Sequence, residues 1–283
     1  MSEPPLLEVR GLRVSFPGPT GPLEAVRGVG FALGRERLGI VGESGSGKSI
    51  TCRAVLGLVP RPGIVSADRL AFAGEDLLGI SPRRLRQIRG RRISLVMQDR
   101  KFSLNPGMKV GRQIDEAYRV HTGAGTAEAR RRTLAMLEAV RIRDPERVYH
   151  LYPHEVSGGM GQRIMIAMML IPEPDLLIAD EPTSALDVTV QIQVLSIVED
   201  LVTRRGMGMI FISHDLNLVA SFCDRILIMY AGRVVETCRA SELMQARHPY
   251  TRGLLAALPR LDDDRRELPV LKRDPAWLTE PLP

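Results

Sequence analysis

Aromatic side chains are scarce in this sequence: 4% of 283 residues, with a single tryptophan. A core must therefore rest on aliphatic side chains, and twelve methionines supply flexible filling. Cysteine is equally sparse. Cys52, Cys223 and Cys238 are odd in number, widely spaced and without a C-x-x-C pair, which excludes a paired-cysteine zinc or cluster site and reads as ordinary reduced cytosolic thiols. Long apolar runs are missing too. IMIAMMLI (164 to 171) falls well short of the roughly 18 residues of a membrane span, so the chain is not expected to cross a bilayer itself. The opening MSEPPLLEVRG has no basic region followed by a long apolar segment, so no secretory signal is expected. There is no internal repeat.

What remains is an average globular composition, 44% hydrophobic and 25% charged, with length enough for one large domain or two small ones. Much of the net charge of +6 sits in RRLRQIRGRR (83 to 92), which reads as a solvated helix face in preference to a nucleic-acid or lipid-headgroup contact.

The first segment that points to chemistry is GESGSGKSIT (42 to 51), directly after the apolar LGIV. It fits G-x-x-x-x-G-K-[ST]. Gly42, Ser44, Gly45 and Gly47 leave backbone N–H groups free to converge between a buried strand, Arg37 to Val41, and a helix starting near Ser49. Such a nest adds to the positive end of the helix dipole and suits a β-phosphate. Lys48 would reach the β- and γ-phosphates, and the Ser49 hydroxyl would ligate magnesium.

Pattern places strands at LEVRGLRVSF (7 to 16), Val29 to Leu33, ISLVMQ (93 to 98), DLLIAD (175 to 180), GMIFIS (208 to 213), RILIMY (225 to 230) and RVVET (233 to 237). Helical spacing covers Ile50 to Leu58, about Val110 to Ile171, 188 to 205 and 216 to 222. The alternation predicts an α/β fold: a P-loop core with a mostly parallel, twice-covered sheet, an antiparallel β subdomain at the N-terminus and an inserted helical subdomain. The proline-rich, charged stretch beyond 258 reads as loosely folded.

A second phosphate-site element follows in LLIADE. Asp180 at a strand tip can hold magnesium or its water, and Glu181 is placed to polarise an attacking water. Taken alone, the D-E-P would read as an acidic helix start. VSGGM (156 to 160) precedes a helix, with Ser157 in the capping position and Gly158 and Gly159 exposing further N–H groups. SALD (184 to 187) follows the carboxylates. His214 ends the next strand, where an imidazole could contact a γ-phosphate, and Gln98, at the end of ISLVMQ, would sense magnesium and the attacking water.

These segments, in this order, resemble the ATP-binding cassette ATPases across nearly the whole chain. The resemblance implies a Walker A at Gly42 to Ser49, a Q-loop at Gln98, a signature at Val156 to Met160, a Walker B at Asp180 with catalytic Glu181, a D-loop at Ser184 to Asp187 and a switch histidine at His214. Phe16 looks like the aromatic that stacks on adenine, or else a core phenylalanine near an edge strand. The implied division is a nucleotide-binding core in 1–98 and 172–240, a helical signature subdomain in 99–171 and a C-terminal extension in 241–283.

SLNP (103 to 106), EVSGGMGQRIMIAMML, EPTSALDVTVQIQVL and HPYTRGLLAALPRL (248 to 261) narrow the likeness to the ATPase subunits of oligopeptide, dipeptide and nickel importers. Val156 stands for the usual leucine and Gly161 for the usual arginine. With no cysteine beyond Cys238, no iron–sulfur centre is expected.

The resemblance implies ATP and Mg2+ as ligands and a peripheral place at the cytoplasmic face of the inner membrane. It also implies two permease subunits, a second cassette or second copy of this chain, and indirectly an extracytoplasmic substrate-binding protein. Peptides are the first cargo reading, with nickel, a metallophore or an opine-like solute as alternatives. A soluble cassette ATPase acting on nucleic acid or ribosomes is the remote alternative, and it lacks the coiled-coil insertions, zinc cysteines or tandem cassettes it would call for; no nucleic-acid partner is expected. A small-molecule kinase using the same loop would not need VSGGM or His214.

Overall fold

The structure, a computed structural model, describes residues 4–19, 21–97, 104–184, 186–258 and 274–278. The chain forms two compact units, one from residues 1–80 with 210–283 and one from residues 81–209.

The first unit opens with β1 (Leu7–Phe16), whose alternation buries Leu7 and Val9 and then, after a slip at Gly11, Leu12 and Val14. Gly11 takes φ +59°, a conformation glycine adopts without penalty, and the register of β1 against its partner shifts there. That partner, β2 (Leu23–Leu33), runs antiparallel and begins six residues earlier than the apolar pattern indicated, because Phe16 pairs with Leu23 and the ladder continues through Glu24 and Arg27. β3 (Arg37–Val41) is a short apolar strand, buried from Leu38 onward. It leads through residues 42–47 into α1 (Lys48–Val55), after which β4 (Ile64–Ser66), β5 (Arg69–Phe72) and β6 (Glu75–Asp76) complete an antiparallel sheet in the order β2-β1-β5-β6, with β4 also on β1.

The second unit contains α2 (Pro82–Ile88), capped by Ser81, and β7 (Ile93–Val96). Four helices follow: α3 (Val110–Thr122), α4 (Thr126–Ala139), α5 (Pro145–His150) and α6 (Gly158–Leu170). They bury Val110, Ile114, Ala129, Leu137, Val148 and Ile164. One carboxylate lies in this apolar interior. Asp115 accepts hydrogen bonds from Thr133 Oγ1 at 2.6 Å and Tyr149 Oη at 2.5 Å, which satisfies it, and burial together with the Asp115 bond pushes the Tyr149 phenol up to about 12. Gln113 uses both ends of its amide on the SLNP turn, accepting from the Asn105 N–H and donating to the Asn105 and Met108 carbonyls. β8 (Leu176–Asp180) pairs in parallel with β7, and α7 (Val188–Arg205) completes the unit.

β9 (Gly208–Ser213) carries the chain back into the first unit, where α8 (Leu216–Phe222), β10 (Arg225–Tyr230), β11 (Arg233–Arg239) and α9 (Pro249–Ala256) follow. The strand order there is β11-β10-β3-β9, with β10 parallel to β3 and antiparallel to β11. Arg37 and Asp224 fasten the two chain segments of this unit together. The Arg37 N–H and guanidinium donate to the Asp224 carboxylate at 2.8 and 3.1 Å, and the Asp224 N–H returns a bond to the Arg37 carbonyl at 2.8 Å. Partial burial alone would raise the Asp224 carboxyl, but the bonds and charge of Arg37 outweigh it and hold the group below its ordinary range. The fold is α/β, with antiparallel and parallel strand pairings and the helices gathered mainly in the second unit. Beyond 258 only residues 274–278 are described, and there the loose reading is corrected: Pro275–Leu278 forms a short 3-10 helix that buries Trp277 to 6% exposure.

Candidate functional site

In the first unit the loop after β3 is shaped by close approaches. A Cβ on Gly42 would fall 2.1 Å from the Met229 carbonyl oxygen and 2.7 Å from Ser46 Oγ. Gly47 has φ +99°, and a Cβ there would fall 2.6 Å from the Ala25 carbonyl oxygen. Only glycine fits either place. Further bonds stitch the loop to its support: Ser46 N–H donates to the Glu43 carbonyl at 3.1 Å, Gly232 N–H to the Ser46 carbonyl at 3.0 Å, and Arg27 N–H of β2 to the Gly232 carbonyl at 2.7 Å.

Lys48, the first residue of α1, is 5% exposed and curls back over the loop. Its Nζ donates to the carbonyls of Gly42 and Glu43, both at 2.8 Å, and to Ser46 Oγ at 3.4 Å. The loop thus brings an ammonium together with the N-terminus of a helix whose cap, Gly47, has no side chain. Ser44 and Gly45 are exposed, and Ser49 is half-buried in the first turn of α1. The arrangement fits a polyphosphate.

The first unit also holds His214 and Phe16. His214 is exposed just past β9, between Ser213, whose Oγ accepts from the Asp215 N–H, and Asp215, which caps α8. Phe16 is half-buried at the end of β1, and its ring edge lies where a Cβ on Gly63 would fall, 2.7 Å away. One neighbour of the loop was missed by sequence reasoning. Tyr250 is fully buried, and its Oη accepts from the Glu43 N–H at 3.1 Å. The available signal was HPYT, which starts α9: His248 Nδ1 caps the helix by accepting from the Tyr250 N–H, and Pro249 takes the first helical position.

The second unit brings together the other sequence-predicted segments. Asp180, at the end of the wholly buried β8, is 7% exposed. Glu181 follows with φ +47°, a left-handed conformation costly for a non-glycine residue, held by bonds from Ser184 N–H and Oγ to its carbonyl at 3.3 and 3.2 Å. Asp187 then caps α7, accepting from the Val190 N–H at 3.0 Å. Ser157 caps α6, accepting from the Met160 N–H at 3.4 Å, and Ser157 and Gly158 are exposed. The two stretches touch. Gly159 lies against Val190, where a Cβ would fall 2.9 Å from Cγ1, and the Gln162 side-chain amide donates to the Pro182 carbonyl. Gly161 is buried, yet a Cβ there would meet nothing within 4 Å, so its place is not set by lack of room. Gln98 and Ala185 lie outside the described residues.

Comparison with known proteins places these features in context. Residues 28–184 match the ABC transporter domain family. The chain is 46% identical over 280 residues to the oligopeptide transport ATP-binding protein OppD of Bacillus subtilis, covering 98% of this chain and 78% of that one. It is 45% identical to the dipeptide transport ATP-binding protein DppD of Escherichia coli, over 94% of this chain and 82% of that one. Among solved structures it is similar to the ATP-binding cassette MJ0796 in a dimeric post-hydrolysis state bound to ADP and Pi, with TM-score 0.71 and 26% identity over 83% of this chain and 98% of that one. It is also similar to cbiO1 from Clostridium perfringens, part of the transporter complex cbiONQ, with TM-score 0.73 and 26% identity over 86% and 92% of the two chains.

Proposed function

The chain belongs to the ABC transporter family, and on that footing we propose that it is the ATP-hydrolysing subunit that energises an importer whose cargo is peptides. The cargo rests on the relatives named as oligopeptide and dipeptide transport proteins. No helix among the described residues is long and apolar enough to cross a membrane. In this reading the solute path is built by two permease subunits, fed by an extracytoplasmic binding protein, with the present chain seated at the cytoplasmic face of the inner membrane beside a second cassette or a second copy of itself.

The amides of Gly42, Ser44, Gly45 and Gly47 wrap the β-phosphate of ATP. Lys48, already poised over the loop, exchanges its carbonyl partners for β- and γ-phosphate oxygens. Phe16 offers its ring to adenine. Among the described residues no three His, Cys, Asp or Glu side chains cluster as a metal site, so a divalent ion here would draw on oxygens of the nucleotide as well as on Ser49, Asp180 and Gln98. Magnesium bound there would neutralise charge on the β- and γ-oxygens. Glu181 takes the proton of the attacking water, and His214 contacts the γ-phosphate. Ser157, Gly158 and Gly159 donate to the γ-phosphate held by the other cassette of the pair, so each complete site needs two cassettes.

The observation that carries this reading is the buried Lys48 ammonium folded over a glycine loop at the head of α1. Its test is a paired measurement. ATP affinity of the isolated chain should survive Gly158→Asp, whereas turnover of the complex reconstituted with permeases and second cassette should be lost, because a carboxylate then faces the partner's phosphate. Fast hydrolysis by the isolated chain at dilutions where it is monomeric, or unchanged complex turnover in Gly158→Asp, would overturn the composite mechanism.

A further inference from the structure

One peptide group of the phosphate loop is gripped at both ends. The carbonyl of Gly42 accepts from Lys48 Nζ at 2.8 Å, and the N–H of the same peptide, that of Glu43, donates to Tyr250 Oη at 3.1 Å. Tyr250 comes from the HPYT segment, a motif the nucleotide chemistry leaves unexplained, and 207 residues separate it from Glu43.

Tyr250 is itself held firmly. It is fully buried, its ring packs 4.7 Å from Tyr230 and 6.0 Å from Trp277, and Trp277 also lies edge-on to Tyr230 and His248 at 5.7 and 5.8 Å. The short helix Pro275–Leu278 therefore closes a box of four rings, and the box presents one polar atom, Tyr250 Oη, to the loop.

From this geometry we propose that Tyr250 is a positioning residue for ATP: it fixes the orientation of the Gly42–Glu43 peptide and so pre-forms the loop for a polyphosphate. The proposal rests on the loop being the phosphate site. A peptide polarised at both ends resists rotation, and its two bonds strengthen one another. Rotation of that peptide would move the Gly42 carbonyl off the ammonium and turn the loop's amides out of convergence. Without Oη the loop must be ordered by the nucleotide at the cost of affinity, as for any site whose organisation is deferred to binding. Once phosphates are bound they impose the same geometry, so the chemical step is little affected. Tyr250 then governs how readily ATP is captured and leaves the fate of captured ATP to other residues.

The test compares three full-length variants with the wild-type chain, using MgATP turnover of the complex reconstituted with permeases and second cassette and MgADP affinity of the isolated chain. Tyr250→Phe keeps the ring and removes Oη. It should raise the KM for ATP and the Kd for MgADP about three- to ten-fold, the range of one lost hydrogen bond, while kcat stays within about two-fold. Fluorescence of Trp277, the chain's one tryptophan, should be unchanged, reporting an intact ring box. Tyr230→Phe, which alters the same box but leaves Tyr250 Oη in place, should leave KM as it is. An unchanged KM in Tyr250→Phe, a fall of kcat in step with the rise of KM, or an equal effect of Tyr230→Phe would each overturn the proposal, since each is what a purely structural tyrosine gives. Lys48→Ala separates this from the underlying reading: if it keeps full turnover, the phosphate-loop assignment itself fails; if it is dead while Tyr250→Phe is normal, only the role of Tyr250 fails.

Discussion

Gln162, at the start of the second turn of α6, donates its side-chain amide to the carbonyl of Pro182, the residue after Glu181. Both residues are buried, Gln162 to 2% exposure, so the bond joins the helix capped by Ser157 to the turn that holds Glu181 in a left-handed conformation. Gln162→Leu keeps the volume and strands that carbonyl. A loss of about 1–3 kcal/mol in unfolding free energy is expected, measured by urea titration, the penalty for a buried acceptor without its donor. Turnover should fall with it, because the bond braces Glu181; unaltered kcat would separate the two.

Lys48→Ala should abolish hydrolysis while preserving the fold. The ammonium's contacts to phosphate are charge-assisted and worth roughly 1.5–3 kcal/mol in binding alone, before any contribution to the transition state. Circular dichroism together with phosphate release checks both halves, and full activity on a normal fold would defeat the assignment.

Glu181→Gln should keep ATP binding and lower turnover by a factor of roughly 10² or more, since the amide retains shape but cannot take a proton from water. Glutamine meets the same backbone strain at φ +47° as glutamate, so the fold should be unaffected. Trapping of labelled ATP beside single-turnover phosphate release is the relevant pair of measurements. Wild-type rates in the variant would reduce Glu181 to a structural carboxylate.

The Tyr149 phenol, raised from 10.0 to about 12 by burial and by its bond to Asp115, makes stability depend on alkaline pH. Between these values the unfolded chain has lost the phenolic proton and the folded one retains it, so ν_U is smaller than ν_N and stability falls as pH rises. The contribution is fully present below pH 10 and is lost as pH approaches 12. Tyr149→Phe should flatten this slope while costing stability at neutral pH by leaving Asp115 with one donor fewer. Urea midpoints of the two proteins at pH 8, 10 and 11 decide it, and parallel slopes would refute the coupling.

Much of this architecture is legible where pattern is strong. GMIFIS and RILIMY are apolar runs bounded by polar residues and form β9 and β10 at the predicted bounds, as α7 and α8 do. The first half of β2 is not, because Glu24 and Arg27 interrupt its apolar alternation and only pairing with β1 keeps it extended. The phosphate loop announces itself because its chemistry is local, eight residues that need no distant partner to be recognised. Gln162 and the buried Asp115 carry no such local signature, and HPYT marks a helix start without showing what Tyr250 meets. Each is defined by what it meets, and those meetings join residues far apart in the chain. The left-handed turn at Glu181 is hidden for a related reason: glutamate has no preference for it, and Ser184 and the neighbouring turn impose it.

Arg37 and Asp224 stand 187 residues apart, and β3 finds β10 only across that same interval. A ribosome adding about 5–20 residues per second makes the strand beside the phosphate loop roughly ten to forty seconds after the loop itself. During that time GESGSGKS exists as sequence but lacks Met229, Gly232 and Tyr250, the residues that shape it. A chain released early, before about residue 230, would thus carry the complete nucleotide motif without the residues that give it its shape.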